Sequence, residues 1–405
     1  MSWIEDDSFT AEHPFGPQTL PYGVIDVGDG PHIAVRIGDH ALPLRPLADT
    51  LGPRLAELVT RSSLDPLLAT SRATWAELRE RVSELATREV RPRGAEAVPL
   101  TRLTTRLPFT VADYVDFFSS RHHAENAGRI FRPDAATALS PNWTHLPVGY
   151  HGRAGTVVVS GTDVERPNGQ RRGDEPGTIT FGPTQLLDVE AEVGFVCGGP
   201  VASRVPTSAV AEHVFGVVLV NDWSARDIQG WESQPLGPFL GKSFATSVSG
   251  WITPLAAFEH AHVAVPPAPQ PLQRYLIDDQ PWGLDIDIEI RWNDTVVARP
   301  PFAEMNWSCA QQLAHMTVNG ATVRPGDLFA SGTVSGPRAD QRGSFLELTW
   351  GGSEPLTLDD GSKRTFLEDG DTVVITGSAP GPDGSRIGLA EVAGVVLPAD
   401  APGRG

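Results

Sequence analysis

Only two cysteines, Cys197 and Cys309, occur in 405 residues, too few for a disulfide framework or a structural zinc site, and a reducing compartment is expected. Basic residues are also scarce: 32 Lys and Arg stand against 50 Asp and Glu, a formal charge of −18. That imbalance argues against nucleic acid or an anionic membrane as a partner. It leaves the substrate open, because a metal ion and a few local cations can invert the potential of a site. Long apolar runs are missing too; no segment reaches the roughly 18 uninterrupted apolar residues of a membrane span. The first residues, Met1-Ser2-Trp3-Ile4-Glu5-Asp6-Asp7, are acidic where a secretion signal would be basic. The cytoplasm is the expected location. There is no internal repeat, and low complexity is confined to the Ala/Pro/Gly tail after Pro398.

What remains is an ordinary globular composition, 40% hydrophobic and 20% charged. A chain of 405 residues exceeds what one core usually supports, so two domains are expected. Residues 23–27 and 32–37 read as strands around the turn Gly28-Asp29-Gly30. Trp75, Leu78, Val82 and Leu85 recur at i, i+3, i+7 and i+10, the stripe of an amphipathic helix that Pro92-Arg93-Gly94 must end. A small β-rich domain with a helical linker region is therefore placed over residues 1–105, and a larger domain over 106–405. Strands are predicted at 157–160, 178–181, 215–220, 284–290 and 373–376, in keeping with 41 Gly and 36 Pro for the turns between them. A short helix is predicted at 308–315, with Ser308 and Gln311 spaced as a capping box. The fold class is mainly β with some α.

Glu190 and Glu192 carry the first chemical signal. Carboxylates at i and i+2 of a strand point the same way, roughly 6.5–7 Å apart at their α-carbons, and can converge on one hard cation. Asp285, Asp287 and Glu289 have the same spacing, opposite Leu284, Ile286, Ile288 and Ile290, and that alternation is what a solvated strand face looks like. Spacing alone cannot separate the two stretches. A second acidic block, Asn221-Asp222-Trp223-Ser224-Ala225-Arg226-Asp227-Ile228-Gln229, follows. As a helix it would set Asp222, Arg226 and Gln229 on one face, either holding a metal and an oxyanion or forming an Asp N-cap with a surface ion pair. Asp116 and His123 are likewise at i and i+7, and of the adjacent His122 and His123 at most one can face such a cluster. Lys242 lies in Gly241-Lys242-Ser243-Phe244 nearby.

At these residues the chain closely resembles the fumarylacetoacetase (fumarylacetoacetate hydrolase) family. The likeness runs from Leu20-Pro21-Tyr22-Gly23-Val24 to Val395-Val396-Leu397-Pro398. It is densest over 116–132, over Pro141-Asn142-Trp143-Thr144-His145-Leu146-Pro147-Val148-Gly149-Tyr150-His151-Gly152-Arg153, and over 221–246. Stretches 326–337 and 343–350 match as well. The resemblance implies an SH3-like N-terminal barrel and a C-terminal domain of mixed β-sheet rolls, assembled as a homodimer. It implies hydrolysis of the carbon–carbon bond of 4-fumarylacetoacetate, a β-diketo acid, to fumarate and acetoacetate, the last step of tyrosine and phenylalanine breakdown. The family's metal ligands fall on Asp116, Glu190, Glu192 and Asp222, with Lys242 and Thr246 near a second cation position. Its general base falls on His123, oriented by Glu347. Arg226, Gln229 and Lys242 take the places that bind and polarise substrate, and Arg132 and Thr333 match further substrate contacts.

These residue types suit that chemistry. An imidazole near neutral pH can take a proton from water if an acceptor such as Glu347 holds its other nitrogen. Arg226, Gln229 and Lys242 are donors for the developing alkoxide, and a metal would act as Lewis acid on the diketone. All-oxygen ligation favours Mg²⁺, Ca²⁺ or Mn²⁺ over zinc. Two family tyrosines are replaced, by Phe118 and by Ser233, and each change removes a phenol from the substrate pocket. They motivate an alternative, a hydrolase of a related acylpyruvate or other β-diketone. A more remote one is a calcium-dependent binding module without catalysis, against which His123 and Glu347 speak, since a binder needs neither.

Overall fold

The computed structural model describes Trp3, residues 9–278 and residues 280–400. The acidic start apart from Trp3 (residues 1–2 and 4–8) and the tail from 401 onward lie outside the described residues. Near the N-terminus, β1 (Tyr22–Asp26), β2 (Pro31–Ile37) and β3 (His40–Pro43) form an antiparallel meander. Gly28 and Gly30 take φ of 104° and 105° in the turn between the first two, a conformation closed to most side chains. Helix α1 (Arg72–Thr87) buries Trp75, Leu78, Val82 and Leu85, the four residues of the predicted stripe.

The meander continues into a larger sheet, because Tyr22 pairs with Ile252 and Gly23 with Trp251. In chain order the later elements are β4 (Asp113–Phe117), α2 (Arg121–Phe131), β5 (Gly149–His151), β6 (Ala191–Cys197) and β7 (Val214–Asp222). They are followed by α3 (Arg226–Glu232), β8 (Thr246–Val248), β9 (Trp251–Pro254) and β10 (Asp287–Trp292). Helix α4 (Cys309–Thr317), β11 (Asp327–Ala330), α5 (Phe345–Leu348), β12 (Thr372–Pro380) and β13 (Arg386–Leu397) complete the set. The main sheet runs β3-β2-β1-β9-β7-β6-β11-β4-β5, with β8 paired to the end of β7. Neighbours along it are antiparallel except β11 and β4. Strands β10, β12 and β13 form the centre of a second, five-stranded sheet.

Every residue of β7 is buried. Val217 and Leu219 share one core with Ile288, Ile290, Val373 and Ile375 of the second sheet. Phe215, Val218 and Val220 share another with Trp75 and Leu78 of α1. The unbroken apolar run at 215–220 thus reflects burial on both faces. The predicted capping box is present, with Ser308 and Gln311 bonding reciprocally at the start of α4. The stretch 284–290 is more broken than predicted: the long strand begins at Asp287, and Gly283–Leu284 pairs separately. Its acidic residues do lie on a solvated face, with exposed Asp287 paired to Arg386 and Glu289 to Arg291 and Arg299.

Leu219 sits between two sheets with no room to relax. We expect Leu219→Ala to cost about 2–5 kcal/mol in urea unfolding, and a loss below about 1 kcal/mol would show the core collapsing around it.

Candidate active site and metal centre

The ends of three strands, β4, β6 and β7, bring carboxylates to one place. Asp116 comes from β4, Glu192 from β6, Asp222 from the last position of β7, and Glu190 from the residue preceding β6. One oxygen from each lies within 4.8 Å of the others, and all four residues are buried. Pairing Ala191 with Asn221 and Ala330 with Asp116 fixes the strand ends in register. Glu192 Oε2 accepts a hydrogen bond from the Gly332 amide at 3.1 Å. Gly332 has φ 77°, and a Cβ there would come within 2.0 Å of the Phe117 carbonyl oxygen, so only glycine lets the chain approach this closely.

Cations and hydroxyls are packed against the same oxygens. Lys242 Nζ bridges Glu190 and Asp222, lying 2.7 Å from Asp222 Oδ2. Arg226 reaches Glu190 Oε1 at 2.7 Å. Thr246 and Tyr150 hydroxyls donate to Asp222 at 3.0 and 3.2 Å. Burial, reinforced by mutual repulsion, pushes the carboxyls of Asp116 and Glu192 well above the usual range, and Asp222 is raised in the same way. Glu190 goes the other way: burial opposes ionisation, but Lys242, Arg226 and His123 outweigh it. The same carboxylates keep Lys242 and Arg226 charged despite complete burial.

This donor set fits a divalent cation. Asp116 Oδ1 and Glu192 Oε1 are buried and have no hydrogen-bond partner among the described residues, which costs free energy unless something positive satisfies them. Oxygen–oxygen separations up to 4.8 Å suit ligands at about 2.0–2.6 Å from a common centre. Lys242 offsets one of the four formal charges, and a divalent ion would offset two more.

Beside the cluster, His123 lies in the first turn of α2, where Ser120 Oγ caps the helix by accepting from the His123 amide. Its Nδ1 is 2.6 Å from Glu347 Oε2, and its Nε2 is 3.7 Å from Glu190 Oε1. Glu347, in the first turn of α5, also accepts from Ser335, Ser344 and Asn126, each at 2.9 Å. Burial would raise that carboxyl, but His123 and these donors hold it below the usual range. Phe118 presents its ring edge-on to the imidazole, 5.2 Å between centroids. His122 instead faces Glu304.

Two local geometries differ from the sequence expectation. Asp116 and His123 do not share a helix; a turn separates the strand of one from the helix of the other. Asp222 is not on a helix with Arg226 either, because Asn221 and Asp222 stay in the β7 ladder, pairing with Ser247 and Thr246. Helix α3 starts only at Arg226. Gln229 Oε1 accepts from Arg226 at 3.2 Å. Ser233 turns its hydroxyl back onto the Gln229 carbonyl. Thr333 Oγ1 is buried without a partner. Arg132 is exposed at the end of α2 and bonds the Ala138 carbonyl, in contact with none of the carboxylates.

Sequence reasoning passed over Asp188, which is wholly buried. One oxygen accepts from Arg226 Nε at 2.7 Å, and the pair together accept the amides of Phe345 and Leu346 at 2.7 and 2.9 Å. A single carboxylate thereby ties Arg226 to the start of the helix carrying Glu347. Its alternation with Glu190 and Glu192 was the available signal. Tyr150, Asn126, Ser335 and Ser344 carried none, since nothing in sequence sets them beside a carboxylate.

Residues 114–393 match a family model described as the fumarylacetoacetate (FAA) hydrolase C-terminal domain, and residues 18–108 one described as fumarylacetoacetase N-terminal. The chain is 44% identical to a fumarylacetoacetase of Homo sapiens, over 98% of its own length and 99% of that protein's. It is 40% identical to one of Arabidopsis thaliana, over 95% and 96%. A solved structure of a fumarylacetoacetate hydrolase from Exiguobacterium antarcticum shares the fold, with TM-score 0.55 and 17% identity, covering 94% of this chain and 100% of that one. A maleylpyruvate hydrolase from Sphingobium does so with TM-score 0.54 at 14% identity, over 94% and 100%.

A cluster of this charge is expected to weaken the metal-free protein. Saturating Mg²⁺ or Ca²⁺ should raise the melting temperature by mass action. Asp116→Asn is expected to raise the metal-free melting temperature while erasing most of that increment. Scanning calorimetry with and without chelator checks both, and an unchanged increment in the variant would remove Asp116 from the ligand set.

Proposed function

Because the chain belongs to the fumarylacetoacetase family, we propose that it hydrolyses fumarylacetoacetate at a carbon–carbon bond, giving fumarate and acetoacetate. The observation that carries the mechanism is His123, tied through Nδ1 to Glu347 at 2.6 Å with Nε2 turned to the rim of the carboxylate cluster. Nδ1 donates to the carboxylate, so Nε2 is the nitrogen left to accept a proton from water. The resulting hydroxide adds to the carbonyl carbon of the fumaryl group. The carbon–carbon bond then breaks, fumarate leaves with the new oxygen, and the acetoacetate enolate takes back the proton at carbon. Arg226 and Lys242 are donors held charged at the site, suited to the alkoxide and enolate oxygens. Asp116, Glu190, Glu192 and Asp222 would hold a divalent cation, Mg²⁺, Ca²⁺ or Mn²⁺, whose Lewis acidity would polarise the diketone.

Further parts of this reading rest on their own support. Residues 1–105 and 106–405 are read as two domains, an SH3-like barrel and a catalytic β-roll unit, with the two family matches ending and beginning between 108 and 114. Two free, buried cysteines suit a cytoplasmic setting, and no helix among the described residues is long and apolar enough to cross a membrane. A homodimer with a small β-diketo acid as its substrate is the assembly proposed. Phe118 and Ser233 keep a second reading open, a related acylpyruvate or β-diketone. Neither offers a substrate a hydroxyl, since one is a phenyl ring and the other bonds its own helix.

Turnover is expected as a loss of the ultraviolet absorbance of fumarylacetoacetate with release of acetoacetate; no turnover of any diketone by folded, metal-loaded protein would end this reading. His123→Ala is expected to lower kcat about 10²–10⁴-fold, with metal affinity by calorimetry unchanged. Near-wild-type turnover would show another base. Asp188→Asn is expected to lower kcat about 10–100-fold with KM and metal stoichiometry little altered, because it loosens Arg226 and the Glu347 helix together. A change confined to melting temperature would make Asp188 merely structural.

A further inference from the structure

A cavity of ≈ 410 Å³ lies where α1 and β1 meet the opposite end of β7 from the carboxylates. Phe215 lines it, and Asp222 ends the same strand, so the two sites are about 23 Å apart at ~3.3 Å per residue. The volume falls within the range of small-molecule sites. Its floor is aromatic: Trp75 stands edge-on to Phe215 at 5.4 Å between centroids, and Trp282 adds a further ring.

Polar groups border that floor. Tyr22 is 2% exposed, and its phenol oxygen lies buried beneath the cavity wall. Arg79 bonds the carbonyls of Gln18 and Thr19, at 2.5 and 2.8 Å, and no carboxylate among the described residues pairs with it. At the rim, Arg72 is already paired with Glu212 at 3.1 Å, and Glu259 is exposed to water. Among the described residues, Arg79 is therefore the lining cation without a carboxylate partner.

We propose that this cavity binds a small aromatic carboxylate, its ring on Trp75 and Phe215 and its carboxylate on Arg79. A carboxylate matches the planar guanidinium fork. A neutral apolar ligand would leave the arginine without an anion, a cation would meet Arg79, and inorganic phosphate would leave the aromatic floor uncovered. The site involves none of the residues assigned to hydrolysis.

The test is calorimetric titration of the intact, Mg²⁺-loaded protein with benzoate. One saturable site per chain is expected below about 10 mM, with no binding of benzylamine and no displacement by inorganic phosphate. Arg79→Gln is expected to raise Kd about ten-fold or more. Ala76→Trp, on the exposed rim, fills the cavity without removing a buried group and should abolish binding with the circular dichroism unchanged. Asp116→Asn should leave it intact. Absence of saturable binding, equal affinity for benzylamine, displacement by phosphate, or an unchanged Kd in Arg79→Gln overturns the proposal. So does binding that survives Ala76→Trp but is lost in Asp116→Asn, which would put benzoate among the catalytic carboxylates.

Discussion

Four buried carboxylates held within 4.8 Å of one another set the terms for the rest of the molecule. Two unit charges 4 Å apart repel by about 4 kcal/mol at an effective dielectric of ~20, so such a cluster persists only if its scaffold resists spreading and cations share the site. The scaffold is β7, buried on both faces between two cores. A strand clamped in this way has no slack with which to move Asp222 from Glu190 and Glu192. The cations are Lys242 and Arg226, both buried and both paired to Glu190.

The cluster explains the division of labour among neighbouring acids. Asp188 and Glu347 are also wholly buried carboxylates, yet they stand outside the ion cage because backbone amides and hydroxyls fill their oxygens. A carboxylate so satisfied has nothing left for a metal, and works instead as an anchor. Asp116 and Glu192 each keep one oxygen without a donor, and those are the atoms open to an ion. Satisfaction of hydrogen bonds, rather than acidity, separates ligand from anchor here.

The α1 stripe, the apolar run of β7 and the capping box of α4 were legible because each is a local pattern with a local cause: period 3.6, burial on both faces, and a side chain reaching three residues on. The cluster was half legible. Glu190 and Glu192 could be picked out, but Asp285, Asp287 and Glu289 offered the same alternation, and only the fold shows the first set buried, and Asp287 and Glu289 ion-paired on a solvated face. Resemblance to a family named Asp116, His123, Glu347 and Asp222 as partners; their own spacing misled, suggesting helices where a strand end and a turn are found. Asp188 shows the limit from the other side. Its partners Phe345 and Leu346 meet it through backbone amides, and an amide leaves no mark in sequence.

The choice of cation at the cluster is itself informative. The chain has only two lysines, Lys242 and Lys363, and relies on arginine elsewhere. Arginine presents its donors spread across a plane, and Arg226 divides them, Nε to Asp188, Nη2 to Glu190 and Nη1 to Gln229. Lys242 must instead touch Glu190 and Asp222, which come from different strands and converge on one point. A compact ammonium with three rotatable donors can meet both from a single position, and its flexible stem lets it yield ground when a divalent ion or a substrate oxygen takes a share of the same carboxylates. Arginine at 242 would hold its donors apart in a plane where the two acids converge on one point, in a site where every unpaired charge is costly.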